Sequence, residues 1–138
     1  DVEVPVERTA DFLHWFLDTV PIEPIWLCPL RLREPLPPGA DPDRPWPLYP
    51  LEPRETYVNV GFWSAVPKQP GQIEGRANRL IEQKVSELGG HKSLYSEAFY
   101  SREKFEELYG GSLPSTIKAV TDPDDRFPGL YEKTVDEA

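Results

Sequence analysis

Apolar and polar positions alternate with a period of two in four separate segments, which predicts four β-strands. In the first segment Val2, Val4 and Val6 alternate with acidic residues or proline. The other three predicted strands cover residues 25–32, 56–63 and 93–99. The segment 56–63 is rich in β-branched and aromatic residues, which suit a pleated sheet.

Apolar residues recur at helical spacing in two longer segments, which predicts two amphipathic helices. The first carries Phe12, Leu13, Phe16, Leu17 and Val20, and the second carries Ala77, Leu80, Ile81, Val85 and Leu88. Shorter helices are predicted towards the C-terminus. The order βαβ, βαβ and then helices predicts an α+β, ferredoxin-like fold. This is a βαββαβ antiparallel sheet with both long helices on one face.

Because side chains alternate along a strand, each predicted strand contributes to two faces of the sheet. One set is mainly apolar and is expected to face the helices: Ile25, Leu27, Val58, Val60, Phe62, Leu94 and Ser96. The other set mixes aromatic and polar residues: Trp26, Cys28, Tyr57, Asn59, Gly61, Tyr95 and Glu97. An uncovered face of this composition is typical of an interface or a ligand site. The alternative is that its aromatic rings bury against a neighbouring element.

Net charge and the length of apolar runs limit the expected partners and location of the chain. The net charge is −9, from 24 acidic and 15 basic residues, so the surface repels phosphate backbones and no nucleic-acid partner is expected. No apolar run reaches the roughly 20 residues of a membrane-spanning helix. We therefore expect a cytoplasmic protein, with any membrane association through parts outside this chain.

Few residues offer reactive chemistry. Cys28 is the single cysteine, which excludes an internal disulfide, and no basic residue adjoins it to activate the thiol. His14 is assigned to the solvent side of a helix and His91 to a turn, so no metal site is expected. The chain also lacks a Gly-rich phosphate loop. Glu97 is the carboxylate placed for acid–base chemistry, with a solvated strand-end carboxylate as the alternative.

The chain is predicted to be one domain over residues 1–138, with a stiff loop over residues 33–54. Many of the 17 prolines lie in and just before that loop. The chain contains no methionine, not even at position 1. This favours a fragment of a longer protein.

Four segments together resemble one family of flavoenzymes. They are residues 25–32 (IWLCPLRL), 57–62 (YVNVGF), 94–113 (LYSEAFYSREKFEELYGGSL) and 127–133 (FPGLYEK). In this order and spacing they resemble the C-terminal part of the Δ24-sterol reductase (24-dehydrocholesterol reductase, Diminuto/Dwarf1) family, of the vanillyl-alcohol-oxidase type. The resemblance covers nearly the whole chain and is weakest at residues 34–53.

The resemblance implies the cap, or substrate-binding, domain of an FAD-linked oxidoreductase that reduces a C=C bond of a sterol-like substrate. FAD would be bound mainly by an N-terminal domain that is absent here, with NADPH as a reductant. The isolated fragment would then be inactive, and its partners would be that FAD domain and the sterol-like substrate. The residues expected to face substrate or flavin are Trp26, Cys28, Tyr57, Asn59, Tyr95 and Glu97, with Glu97 as the catalytic candidate.

Two other functions stay open. The first keeps the flavoenzyme and changes the substrate to an alcohol or a sugar derivative, with the flavin as oxidant. The second is a stand-alone ferredoxin-like binding or dimerisation module, in which the aromatic sheet face pairs two copies as a homodimer. An FAD-binding domain in the same polypeptide would exclude the stand-alone module.

Overall fold

The structure is a computed structural model that describes residues 1–33, 38–39 and 48–136. Its elements in chain order are β1 (Val2–Pro5), α1 (Thr9–Thr19), β2 (Ile25–Arg31), β3 (Thr56–Phe62), α2 (Arg76–Glu87), β4 (His91–Lys92), α3 (Arg102–Leu108) and α4 (Leu113–Thr121). A 3₁₀ turn, Val6–Arg8, joins β1 to α1, and a helical turn of the π type, Glu132–Asp136, follows α4. The α+β class predicted from the sequence is confirmed.

The four strands form one antiparallel sheet in the order β2-β3-β1-β4. Strand β3 pairs with β2 over seven residues and with β1 over four, so it forms the centre of the sheet. Strand β4 pairs with β1 through two residues. The order of elements, βαββαβ, is the predicted one. Because β4 contains only two residues, the ferredoxin-like arrangement of the sheet stays a prediction.

Two glycines bring β4 to its place beside β1. Gly89 follows the end of α2 with a φ of +75°, a left-handed conformation that glycine adopts without strain. The Gly90 amide then donates to the Val85 carbonyl oxygen at 2.8 Å, which closes the helix end. A side chain at Gly90 would place its Cβ 2.2 Å from the Glu3 carbonyl oxygen, so this close approach requires glycine.

One face of the sheet packs against both long helices. Its buried core consists of Val2, Val4, Val58 and Val60 from the strands, with Phe12, Phe16, Val20, Ile81, Val85 and Leu88 from the helices and their ends. Ile25 and Phe62 pack at its edge. The period-two and helical patterns predicted most of this face, because each apolar position follows its own element's repeat. Leu27, also expected to face the helices, is 47% exposed and lies outside the core. A buried ion pair, Lys92 Nζ to Glu82 Oε1 at 3.1 Å, joins β4 to α2.

The predicted strand at residues 93–99 is wrong. The only part of this region in the sheet is β4, which lies just before it, and residues 93–99 have no regular structure. The Ala98 amide donates to the Thr134 carbonyl oxygen at 2.9 Å. Leu94 packs against the cluster of Ala98, Tyr100, Phe105 and Tyr109. The apolar alternation therefore marks residues that bury in another cluster and not a strand of the sheet.

The chain divides into two compact units. The first contains Asp1–Arg31 and Thr56–Ser93, and the second contains Leu32–Glu55 and Leu94–Ala138. The second unit has its own core of Ala98, Tyr100, Phe105 and Tyr109. Helix α3 begins after Ser101, whose Oγ accepts from the Lys104 amide at 3.3 Å, a capping bond. The prediction of one domain over the chain stays a prediction.

Much of the predicted proline-rich loop over residues 33–54 lies outside the described residues. No helix in the described parts of the chain is both long enough and apolar enough to cross a membrane.

Candidate ligand face of the sheet

The sheet face opposite α1 and α2 carries the polar residues, as predicted. Strand pairing aligns Cys28, Asn59, Glu3 and His91 in one row across β2, β3, β1 and β4. We call these four residues the polar row. Trp26 and Gly61 form the adjacent pair on β2 and β3.

Glu3 lies at the centre of the hydrogen bonds in the polar row. Its Oε1 accepts from Asn59 Nδ2 at 2.6 Å and from Ser93 Oγ at 2.7 Å. Its Oε2 lies 3.4 Å from His91 Nε2. Glu3 is 2% exposed and Asn59 is 7% exposed, so these bonds form away from water. Removing a partner from such a buried network is costly, because the remaining polar groups lose their hydrogen bonds.

His91 is buried in β4 and does not lie in the predicted turn. Burial lowers the pKa of His91 from 6.5 to about 4, because a charged imidazolium loses its hydration there. The contact with Glu3 at neutral pH therefore joins a carboxyl group to a neutral imidazole and is not an ion pair. The Tyr57 ring, predicted on this face, meets the His91 ring edge-on with 6.0 Å between centroids.

The β2 side of the face is open, in contrast to its centre. Trp26 is 49% exposed and stacks on Trp63, which is 63% exposed, with ring centroids 6.4 Å apart. Gly61 gives Trp26 this position, because a Cβ there would lie 3.1 Å from Trp26 Cε3. Exposed aromatic pairs of this size are typical of a contact or ligand surface. Cys28 is half-buried, and its thiol is directed to the Pro29 carbonyl oxygen at 3.8 Å.

Tyr95 and Glu97, the other predicted site residues, lie in the irregular segment after β4 and belong to the second unit. Their assignment to a strand of the sheet face is wrong, whereas their roles toward a ligand stay predictions. Tyr95 is largely exposed and Glu97 is half-buried.

Sequence reasoning did not single out Glu3, His91 or Trp63 as candidates. Glu3 carried a usable signal, because an acidic residue between two valines of a strand must lie on the face opposite them. His91 and Trp63 gave none, because both lie at strand ends whose position depends on distant pairing.

The second unit contains a separate open cleft of about 860 Å³. It is lined by parts of α3 and α4 and by the segment after α4. Two of its cations are paired within the unit: Lys118 with Asp122 at 3.0 Å and with Asp125, and Arg102 with Glu132 at 2.7 Å. The cleft therefore gives no indication of a ligand's charge.

The chain is similar to Delta(24)-sterol reductases. It is 30% identical to the rat enzyme (Rattus norvegicus) and 29% identical to the human enzyme (Homo sapiens), each over 135 residues. It is 27% identical over 133 residues to a Delta(24)-sterol reductase homolog of Caenorhabditis elegans. Each alignment covers 96% of the chain, and the chain spans only about a quarter, 24%, of each relative's length.

No protein-family model matches the chain, and no solved structure matches it. The similarity confirms the resemblance to Δ24-sterol reductases that was predicted from the sequence.

Proposed function

We propose that this chain is the substrate-binding cap of an FAD-dependent oxidoreductase that reduces a C=C bond of a sterol-like substrate. The observation that carries the proposal is the similarity to Delta(24)-sterol reductases along 96% of the chain. On this proposal the chain works together with an FAD-binding domain of the same polypeptide, and NADPH is the reductant.

The residues of the sheet face fit a flavin ring and do not fit the phosphates of FAD. Trp26 and Trp63 offer an exposed aromatic surface on which a planar ring stacks. Asn59 Oδ1 is a buried acceptor with no hydrogen-bond donor among the described residues. No Gly-rich loop in the sequence offers backbone amides to a pyrophosphate. Bound flavin supplies the hydride, which is chemistry of the cofactor.

The protein's own part is to bind, orient and shield. Trp26 and Trp63 provide an apolar wall for a flat hydrocarbon, and Asn59 provides a polar contact on the same face. Burial of apolar substrate surface against such rings contributes roughly 25 cal/mol per Å². Tyr57 and Cys28 complete the proposed contacts of the sheet face. Tyr95 and Glu97 belong to the second unit, and their roles toward the substrate are proposed separately. Glu97 is the proposed source of the proton that the second carbon of the double bond receives.

The test uses the longest polypeptide that the gene encodes. The protein is purified, its visible spectrum is recorded, and the reduced protein is mixed anaerobically with a Δ24-unsaturated sterol. We expect flavin absorbance that returns on addition of the sterol and stays bleached with the corresponding saturated sterol. A flavoprotein indifferent to both sterols would favour the oxidase with an alcohol or sugar substrate. A colourless protein would contradict the flavoenzyme.

One observation favours a second candidate, a dimerisation module. Trp26 and Trp63 are large, exposed and adjacent, as at a contact between two copies. Light scattering of this chain between 10 µM and 500 µM tests it, with Trp63→Ser as the matched variant. A dimer that Trp63→Ser dissociates would support pairing through this surface, and a monomer at all concentrations would contradict it.

A further inference from the structure

Asn59 is held in one orientation. Its amide group has a donor end, Nδ2, and an acceptor end, Oδ1. Glu3 Oε1 already accepts from Ser93 Oγ at 2.7 Å and accepts from Asn59 Nδ2 at 2.6 Å. A flipped amide would place Oδ1 against the Glu3 carboxyl oxygen, two acceptors in contact. Glu3 therefore directs the acceptor end of Asn59 away from itself.

The acceptor end has an unmet hydrogen bond. Asn59 Oδ1 is out of contact with solvent and has no donor among the described residues. Buried polar atoms in folded proteins are nearly always hydrogen-bonded, to protein, to water or to a ligand. An atom of this kind points to a donor that binds beside it.

The neighbouring surface indicates what carries the donor. Asn59 and Gly61 lie two residues apart on β3 and share one face, so their Cα atoms are about 7 Å apart along the strand. Trp26 pairs with Gly61 and lies close over it, and Trp63 stacks on Trp26. A flat ligand on this aromatic pair would therefore extend to the acceptor within a single ring system.

We propose that Glu3 is a positioning residue that fixes Asn59 so that its Oδ1 accepts a hydrogen bond from an N–H or O–H group of a bound flat ligand. The inference rests on the proposed function, in which two ligands carry such a group. The flavin ring has an imide N–H, and a sterol has a hydroxyl. An ordered water is the competing occupant.

The experiment compares probes that differ only in the donor. The ¹⁵N-labelled chain is titrated with riboflavin and with 3-methylriboflavin, and separately with a cyclodextrin-solubilised Δ24-unsaturated sterol and with its 3-O-methyl ether. We expect either riboflavin or the unmethylated sterol to shift the Asn59 side-chain amide resonances. The methylated form of that probe should bind about tenfold more weakly. The pair that discriminates identifies the ligand.

Variants separate positioning from folding. Glu3→Ala, which removes the acceptor of Asn59 Nδ2, and Asn59→Asp, which sets a second carboxylate against Glu3, should each weaken binding of the discriminating probe about tenfold. The double variant Glu3→Gln/Asn59→Asp should recover binding, since the amide at position 3 can donate to the carboxylate at position 59, which keeps a free acceptor. Glu7→Gln, an exposed substitution on the turn after β1, is the matched control and should bind as the parent chain does.

Three results would overturn the inference: methylated and unmethylated probes that bind equally, probes that bind without shifting Asn59, or no binding by any probe, which would leave a water as the donor. A double variant that regains stability without regaining the preference for the unmethylated probe would reduce Glu3 to a structural role. The proposed function is tested separately by the spectrum and the sterol-dependent reoxidation of the longest polypeptide. A protein without flavin, or without reoxidation by the sterol, would contradict the proposed function and not this inference alone.

Discussion

The two faces of the sheet differ in whether local sequence repeats or contacts between distant residues determine them. The face under α1 and α2 is apolar, and every core position on it follows from a local repeat, as Val58 and Val60 on β3 do. The opposite face depends on partners far apart in the sequence: Glu3 bonds Asn59 and Ser93, 56 and 90 residues away. The first face stabilises the fold by burying apolar side chains, whereas the second holds polar side chains in fixed orientations.

The largest effect is expected on the helix-covered face. Phe16 is fully buried and contacts Phe62 with 4.8 Å between ring centroids. Phe16→Ala should lower the free energy of unfolding by about 3–5 kcal/mol, because it removes contacts and leaves a cavity. Leu17→Ala, the adjacent exposed position, should cost less than about 1 kcal/mol. Urea unfolding followed by circular dichroism measures both, and equal costs would contradict the assignment of this face.

The next effect is expected on the polar row. Glu3→Ala leaves Asn59 Nδ2 and Ser93 Oγ without their acceptor in a buried place, which should cost about 2–3 kcal/mol. Glu7→Ala removes an exposed carboxylate and should change stability by less than about 0.5 kcal/mol. The same urea assay decides. A Glu3→Ala variant as stable as Glu7→Ala would show that the row contributes no stability.

The two faces should also differ in their response to acid. The pKa of His91 is about 4 in the folded chain because of burial, against 6.5 ordinarily. Between these values the unfolded chain binds a proton that the folded chain does not, so stability falls as the pH drops from about 6.5 to about 4. Above this window the contribution is fully present.

His91→Phe should reduce this decline, whereas His14→Gln, an exposed substitution on α1, should leave it unchanged. The measurement is the urea midpoint of each variant at pH 7 and at pH 4.5. An identical decline in His91→Phe and in the parent chain would be inconsistent with a buried, neutral His91.

The smallest effect on stability is expected for a substitution at Gly61, on the open side of the polar face. Gly61→Ala brings a Cβ within 3.1 Å of Trp26 Cε3 and should cost about 1 kcal/mol while displacing the indole. In a Trp26→Ala background the same substitution should cost less. A double-mutant cycle, with tryptophan fluorescence as a second readout, tests this. Additive costs would place Trp26 away from Gly61.

These differences explain how far the sequence predicted the molecule. The α+β class, three of the four strands and both long helices follow from periodicity, as do the faces to which Trp26 and Asn59 belong. The prediction of a strand at residues 93–99 was wrong because alternation indicates which residues are buried and does not indicate what they pack against. Ala98 bonds to Thr134 in the second unit. The Glu3 bonds and the Trp26–Trp63 stack were not predictable, since both require the register of paired strands.

The most direct test of the ligand face uses the proposed flavoprotein, expressed as the longest polypeptide that the gene encodes. It compares the rate at which a Δ24-unsaturated sterol reoxidises the reduced protein between the parent and Trp26→Ala. Trp26 is 49% exposed, so Trp26→Ala should lower the urea midpoint less than Phe16→Ala does. The rate of Trp26→Ala should be at least about tenfold lower at subsaturating sterol, because the substrate loses an aromatic wall. An unchanged rate in a stable Trp26→Ala variant would contradict the claim that this face binds the ligand.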